Sequence, residues 1–150
     1  MEKVMLKIVG TQIVDGEETP ESKIEFVTEG MYREENGLRY LSYEETELSG
    51  LEGCTTDLEI GESHIQMTRH GDQIPMDTIM RFEAGKRYTD SYHTPYGDMG
   101  LEILTNSLVD QLRKKTSGEE KSVSGCIHID YSISLKGLGD SHNKLDIEVM

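Results

Sequence analysis

The sequence predicts an all-β protein, an antiparallel up-and-down barrel of about eight to ten strands, formed as one domain over residues 1–150. Three observations carry this reading. Apolar and polar residues alternate with a period of two along most of the chain, as half-buried strands require. Turn signals recur about every 8–12 residues, the rhythm of a sandwich or barrel. Asn36-Gly37 separates two alternating runs, and both residues accept the positive φ of a type I′ hairpin turn.

The elements follow in order. Val4, Leu6 and Ile8 share one face, whereas Val9, Thr11 and Ile13 share the other. That change of phase predicts a β-bulge near Gly10. Ile24, Phe26, Thr28, Gly30 and Tyr32 then alternate with Lys23, Glu25, Glu29 and Arg33. The Asn36-Gly37 turn follows, and the next strand runs from Leu38 to about Leu48. Shorter strands carry Thr56, Leu58 and Ile60, and then Ile65, Met67 and Arg69, with turns at Gly61-Glu62 and Gly71-Asp72. Met76, Thr78, Met80 and Phe82 share a face before Ala84-Gly85. Tyr88, Tyr92 and Thr94 lead to a break at Pro95-Tyr96-Gly97, after which Met99, Leu101, Ile103 and Thr105 begin another strand.

Leu104, Leu108 and Leu112 are spaced as on a helix, with Asn106 available as its cap. Thr105, Val109 and the strand before them favour an extended chain instead. The clearest strand comes next. It sets Val123, Gly125, Ile127, Ile129, Tyr131, Ile133 and Leu135 against Ser124, Cys126, His128, Asp130, Ser132 and Ser134. Residues 116–122 and 137–143 read as hairpin tips. The chain finishes on Leu145, Ile147 and Val149, with no internal repeat and no linker.

Composition narrows the function. A chain of 150 residues buries roughly 70% of its unfolded surface, enough for a core without staples. Only 35% of residues are apolar, which suits a barrel whose strands bury one face. The net charge is −14, from 29 acidic and 15 basic residues. That sign opposes nucleic-acid binding and attachment to anionic membranes. Arg113-Lys114-Lys115 is the nearest basic run and reads as a solvated loop. Cys54 and Cys126 are too few for a disulfide framework. The first residues, Met1-Glu2-Lys3-Val4-Met5-Leu6-Lys7, mix charge into the apolar run, unlike a signal peptide. A cytoplasmic protein with reduced thiols is expected.

Catalytic and metal motifs are weak. No phosphate loop, dinucleotide fingerprint or Gly-x-Ser-x-Gly elbow occurs. His64, His70, His93, His128 and His142 lack metal-ligand spacing. His128 and Asp130 share a strand face, but it is the polar, outward one. Glu44, Glu45 and Glu47 read as surface charge. Adjacent strand residues point to opposite faces, so at most one of Glu44 and Glu45 turns inward. No metal and no cofactor is expected.

Arg69 continues the apolar face of Ile65 and Met67, so its guanidinium enters the barrel and must be paired there. Arg81 lies between Met80 and Phe82, on the face opposite theirs. An interior arginine with a tyrosine hydroxyl from Tyr92, Tyr96 or Tyr131 suits a carboxylate. The competing reading is a structural interior ion pair, or a cap on the barrel end.

Five segments recur in order: Leu41-Ser42-Tyr43-Glu44-Glu45, Met67-Thr68-Arg69-His70-Gly71, Arg81-Phe82-Glu83-Ala84-Gly85, Tyr92 with Thr94-Pro95-Tyr96-Gly97, and Ile127-His128-Ile129-Asp130-Tyr131. Together they make the chain similar, over nearly its whole length, to the YwiB-like family, a bacterial domain of unknown function. The resemblance implies a lipocalin-like (calycin) up-and-down barrel of about eight strands. It implies no activity and no catalytic residues.

The expectation is therefore a non-enzymatic barrel holding a small, anionic or lipophilic molecule. Phe26, Tyr32, Met67, Arg69, Met80, Phe82 and Tyr131 would line the site, with Arg81 and Tyr92 as further candidates. A protein-interaction or assembly module acting through the outer surface is the alternative, and an enzyme is the third. A monomer or homodimer is expected.

Overall fold

The computed structural model describes residues 2–13, 23–45, 53–71, 78–94, 97–117, 120–135 and 139–150. The described residues form strands and turns. The strands are β1 (Glu2–Ile13), β2 (Lys23–Glu35), β3 (Leu38–Glu44), β4 (Cys54–Ile60), β5 (His64–Gly71), β6 (Thr78–Glu83), β7 (Arg87–Thr94), β8 (Gly97–Asp110), β9 (Arg113–Ser117), β10 (Glu120–Leu135) and β11 (Gly139–Val149). Among the described residues, no helix is long and apolar enough to cross a membrane.

One antiparallel sheet runs in the order β6-β5-β4-β3-β2-β1-β11-β10-β8-β7, with β9 added on β10. Strands β8 and β9 pair with successive parts of β10, so together they act as one interrupted strand. The path is then a simple meander joined to itself through β1 and β11, the connectivity of an up-and-down barrel.

The expected hairpin is present. Glu35 pairs with Leu38 across Asn36 (φ 54°) and Gly37 (φ 81°). The bulge expected near Gly10 is absent. Val9, Gly10 and Thr11 pair in unbroken register with Glu25, Ile24 and Lys23, and on the other side with Asp146, Leu145 and Lys144. Val4, Leu6 and Ile8 are buried; on the other face Val9 and Ile13 are only half-buried, although Thr11 between them is buried. The change of phase in the sequence reflects a glycine at the inward position, not an inserted residue.

The bulge lies instead on β8. Asp130 pairs with Ser107 and Tyr131 with Thr105, which leaves Asn106 as the extra residue. Leu101, Ile103 and Thr105 are buried before it, and Leu108 and Leu112 turn to the core after it. The helix-like spacing of the leucines is thus a strand that changes face at a bulge.

Edge strands β6 and β7 end the sheet path. They are consecutive in sequence, and Thr105 stitches their turn to β8. Gly85 N–H donates to the Thr105 carbonyl (2.9 Å), Thr105 N–H to the Lys86 carbonyl (3.2 Å), and Glu83 N–H to Thr105 Oγ1 (3.2 Å). Thr105 is fully buried there, so the barrel is nearly closed. Arg81 lies over the Tyr88 ring, 5.4 Å from its centroid, and Tyr88 donates to Glu83.

The barrel is packed through its middle. Leu6, Leu41, Leu58, Ile60, Ile65, Met67, Phe82, Ile127, Ile129 and Ile147 are essentially inaccessible. One end is closed by polar side chains. Arg39 on β3 reaches Asp110 on β8 and the Gly61 carbonyl, and Tyr32 donates to Glu34 (2.8 Å). Among the described residues, the opposite end is hollow.

Candidate functional site

A cavity of about 330 Å³ occupies the hollow end. Ile8, Gly10, Thr11 and Gln12 come from the end of β1, and Ile24 and Phe26 from the start of β2. Asn143, Lys144 and Leu145 on β11 and Tyr131 on β10 complete one wall. Tyr43 at the end of β3, Glu45 just beyond it, and Arg69 near the end of β5 make the polar wall. Gly10 follows Ile8 on the inward face, and no atom lies within 4 Å of where its Cβ would stand. The sequence thus leaves space there.

Arg69 enters the barrel as its in-phase position after Ile65 and Met67 requires. Its Nε stands 3.7 Å from Glu45 Oε1, with the arginine side chain 28% and the glutamate side chain 2% exposed. That distance makes an ion pair, not a hydrogen bond. Glu45 Oε1 accepts from Thr56 Oγ1 at 2.6 Å, and Thr56 is fully buried. Arg69 Nε is buried with no hydrogen-bond partner among the described residues.

Two phenols face this pair. Burial pushes the Tyr43 hydroxyl above its ordinary value, and the Glu45 carboxylate adds to the rise. Burial likewise raises Tyr131, with Arg69 partly offsetting it. Both are therefore neutral hydroxyls through the physiological range.

The structure brings three of the expected site residues together at the cavity: Arg69, Tyr131 and Phe26. Met67, Met80, Phe82 and Tyr32 do not line it. They belong to the packed core, where Phe82 meets the Tyr131 ring with centroids 4.8 Å apart. Arg81 lies by the β6–β7 seam, away from the cavity, and its Nε is likewise buried without a partner. Tyr92 on β7 pairs with Met99 on β8, but its side chain lies outside the described residues, as does Tyr96.

Glu45 was expected as surface charge and is instead buried, with Glu44 exposed beside it. The signal for it was period two: Leu41, Tyr43 and Glu45 are in phase, so an inward strand carries its last residue inside. Thr56, in phase with Leu58 and Ile60, was readable the same way.

The four histidines with described side chains sit elsewhere. His128 pairs with Asp146, and His142 with Asp130, across the outer face of β10 and β11. His70 pairs with Asp57 at 2.7 Å. No group of three or more ligating side chains that could hold a metal occurs among the described residues.

Two carboxyls outside the cavity do titrate abnormally. Burial would raise Asp130, but hydrogen bonds from His142 and Asn106 outweigh it and the net shift is downward. Hydrogen bonds from Tyr88 and Lys86 lower Glu83. Their contribution to stability is fully present above their ordinary values of 3.8 and 4.5 and is lost as pH falls through the lower folded values. Urea midpoints should therefore drop as pH falls below about 4.5, and D130N and E83Q should each flatten that slope. A slope unchanged in both variants would assign the acid sensitivity to other groups.

These features define a class: a small up-and-down β-barrel with a packed middle, a polar seal at one end and a mixed polar and apolar cavity at the other. The chain belongs to the family described as a domain of unknown function, DUF1934, which matches residues 6–147. Its structure is similar to the crystal structure of the YwiB protein from Bacillus subtilis, with a TM-score of 0.70 and 22% identity, covering 98% of this chain and 89% of that one. At that identity the likeness establishes the shared barrel fold. Comparison with curated proteins gives no match. Tyr43, Glu45, Arg69 and Tyr131 all come from the segments that carried the YwiB-like resemblance.

Proposed function

We propose that this protein is a non-enzymatic, small-ligand-binding barrel, with the end cavity as its site. One observation carries the reading: among the described residues, an otherwise well-packed barrel keeps about 330 Å³ unfilled around a buried arginine N–H that has no hydrogen-bond partner there. An unsatisfied buried donor costs about 1–3 kcal/mol, which a ligand acceptor would recover. The volume is at the small end of ordinary ligand pockets, so the ligand is small. Buried, protonated tyrosines suit hydrogen bonding better than general-base work, which favours a binder over an enzyme. Cytoplasmic location with reduced thiols is part of this reading.

The outer surface offers less to an assembly role. Met5, Val27 and Met31 are exposed on β1 and β2, but the Lys3–Glu29 and Lys7–Glu25 ion pairs interrupt them. A continuous apolar patch would be needed.

Native mass spectrometry of protein purified from its own host tests the proposal. The expected spectrum shows one small molecule per chain, and it also reports whether the protein is a monomer or homodimer. Gly10→Phe fills the cavity from a position with open space and leaves every polar group untouched. It should abolish the bound mass while the fold persists by circular dichroism. Ligand-free native protein, or a mass retained in G10F, would refute the proposal.

A further inference from the structure

The cavity's charge is balanced, and this bears on what it can hold. This inference rests on the ligand-binding reading above. Arg69 is not an isolated cation, because the nearly inaccessible Glu45 carboxylate stands 3.7 Å from its Nε. Lys144, the other basic residue at the cavity, pairs in register with Asp130 and acts electrostatically on it. An anion seated on Arg69 would lie within about 5 Å of Glu45. At that range repulsion from the carboxylate offsets a large part of the attraction to the guanidinium. Glu45, expected at the surface, thus opposes the arginine–tyrosine carboxylate clamp and makes the interior ion pair that was the competing reading from sequence.

We infer that the cavity takes an uncharged ligand that presents a C=O and an adjacent N–H, as in a carboxamide, lactam or imide. The carbonyl oxygen accepts from the unpartnered Arg69 Nε–H, and the N–H donates to the Glu45 carboxylate. Such an edge satisfies both groups without adding charge to the buried pair. Size agrees: the cavity corresponds to roughly ten water volumes at about 30 Å³ each, the scale of a single planar ring with its substituents. Ile8, Ile24, Phe26 and Leu145 supply apolar wall for the ring. The neutral phenols of Tyr43 and Tyr131 add polar contacts without selecting for charge.

Benzamide and benzoate form an isosteric test pair that differs at this edge. Titrations of the native protein, followed by amide and arginine Nε–H NMR shifts, should show benzamide binding at least about tenfold more tightly than benzoate. The Arg69 Nε–H resonance should move with benzamide. Glu45→Gln keeps a carbonyl to accept from Thr56 but removes the negative charge, so it should narrow or reverse the preference. Benzoate binding as tightly as benzamide to the native protein would overturn the neutral-amide assignment and leave the ligand-binding reading intact. Failure of both probes to shift any cavity resonance would overturn it too. The ligand-binding reading stands or falls separately, on the mass carried from the host. If E45Q does not fold, the benzamide-to-benzoate ratio in native protein decides by itself.

Discussion

Phe82→Ala should lower the unfolding free energy by about 3–5 kcal/mol, read from urea denaturation at neutral pH. The side chain is completely buried. Its removal forfeits transfer energy and leaves a void that the surrounding core side chains only partly relax to fill. It also removes the ring contact to Tyr131, at 4.8 Å and 58°, a geometry worth about 0.5–1.5 kcal/mol beyond area. A domain of this size is stable by only about 5–15 kcal/mol, so the loss is a large fraction of the whole. Phe82→Leu keeps most of the volume and should cost less than half as much. Because Tyr131 lines the cavity, F82A should also weaken the proposed ligand binding from beneath it. A cost below about 1 kcal/mol would mean that the barrel's middle is less well packed than described.

Gly125→Val should be as damaging for a different reason. Gly125 has φ +124°, a region side chains avoid, and a Cβ there would stand 2.0 Å from the Gln111 carbonyl oxygen. That oxygen belongs to the backbone where β8 ends and β9 begins. Gln111 N–H donates to the Cys126 carbonyl at 2.8 Å across the same junction, so the two chains cannot separate without losing that bond. Strain and collision together should cost at least about 3 kcal/mol. The damage should begin at the β8–β9 junction, so hydrogen exchange would quicken first at residues 111–113 and 123–126. Gly125→Ala retaining near-native stability would show that the junction yields easily.

Much of the barrel was legible because strands announce themselves locally. Period-two alternation needs only neighbouring residues, so the long run from Val123 to Leu135 and the Asn36-Gly37 turn were both placed correctly from sequence. Irregularities were harder. A change of phase has two local causes, an inserted residue or a missing side chain, and the sequence does not separate them. At Gly10 it is the missing side chain; at Asn106 it is an insertion, where the leucine spacing had also admitted a helix. The distinction lies in the partner strand's register, which is non-local information.

The site divides the same way. Arg69 and Tyr131 were selected on strand phase alone and do face the cavity. Phe82, Met67, Met80 and Tyr32 were selected by the same rule and fill the core instead. Phase says that a side chain points inward, but not how far along the barrel axis it lies. Depth follows from strand stagger, which no single strand encodes.

The amino-acid sequence by itself determined that this chain forms an antiparallel barrel, acidic overall, with an arginine turned inward. Those properties follow from nearest-neighbour alternation, turn chemistry and net charge. Only the tertiary structure decided that one end of the barrel is sealed by Arg39 and Asp110 while the described residues leave the other hollow, and that the inward arginine is met by Glu45. Arg39 and Asp110 are 71 positions apart in sequence. Glu45 and Arg69 come together only because β3, β4 and β5 pair in register. Charge balance in a buried cavity is a sum over such pairs, so it exists only once the barrel has closed.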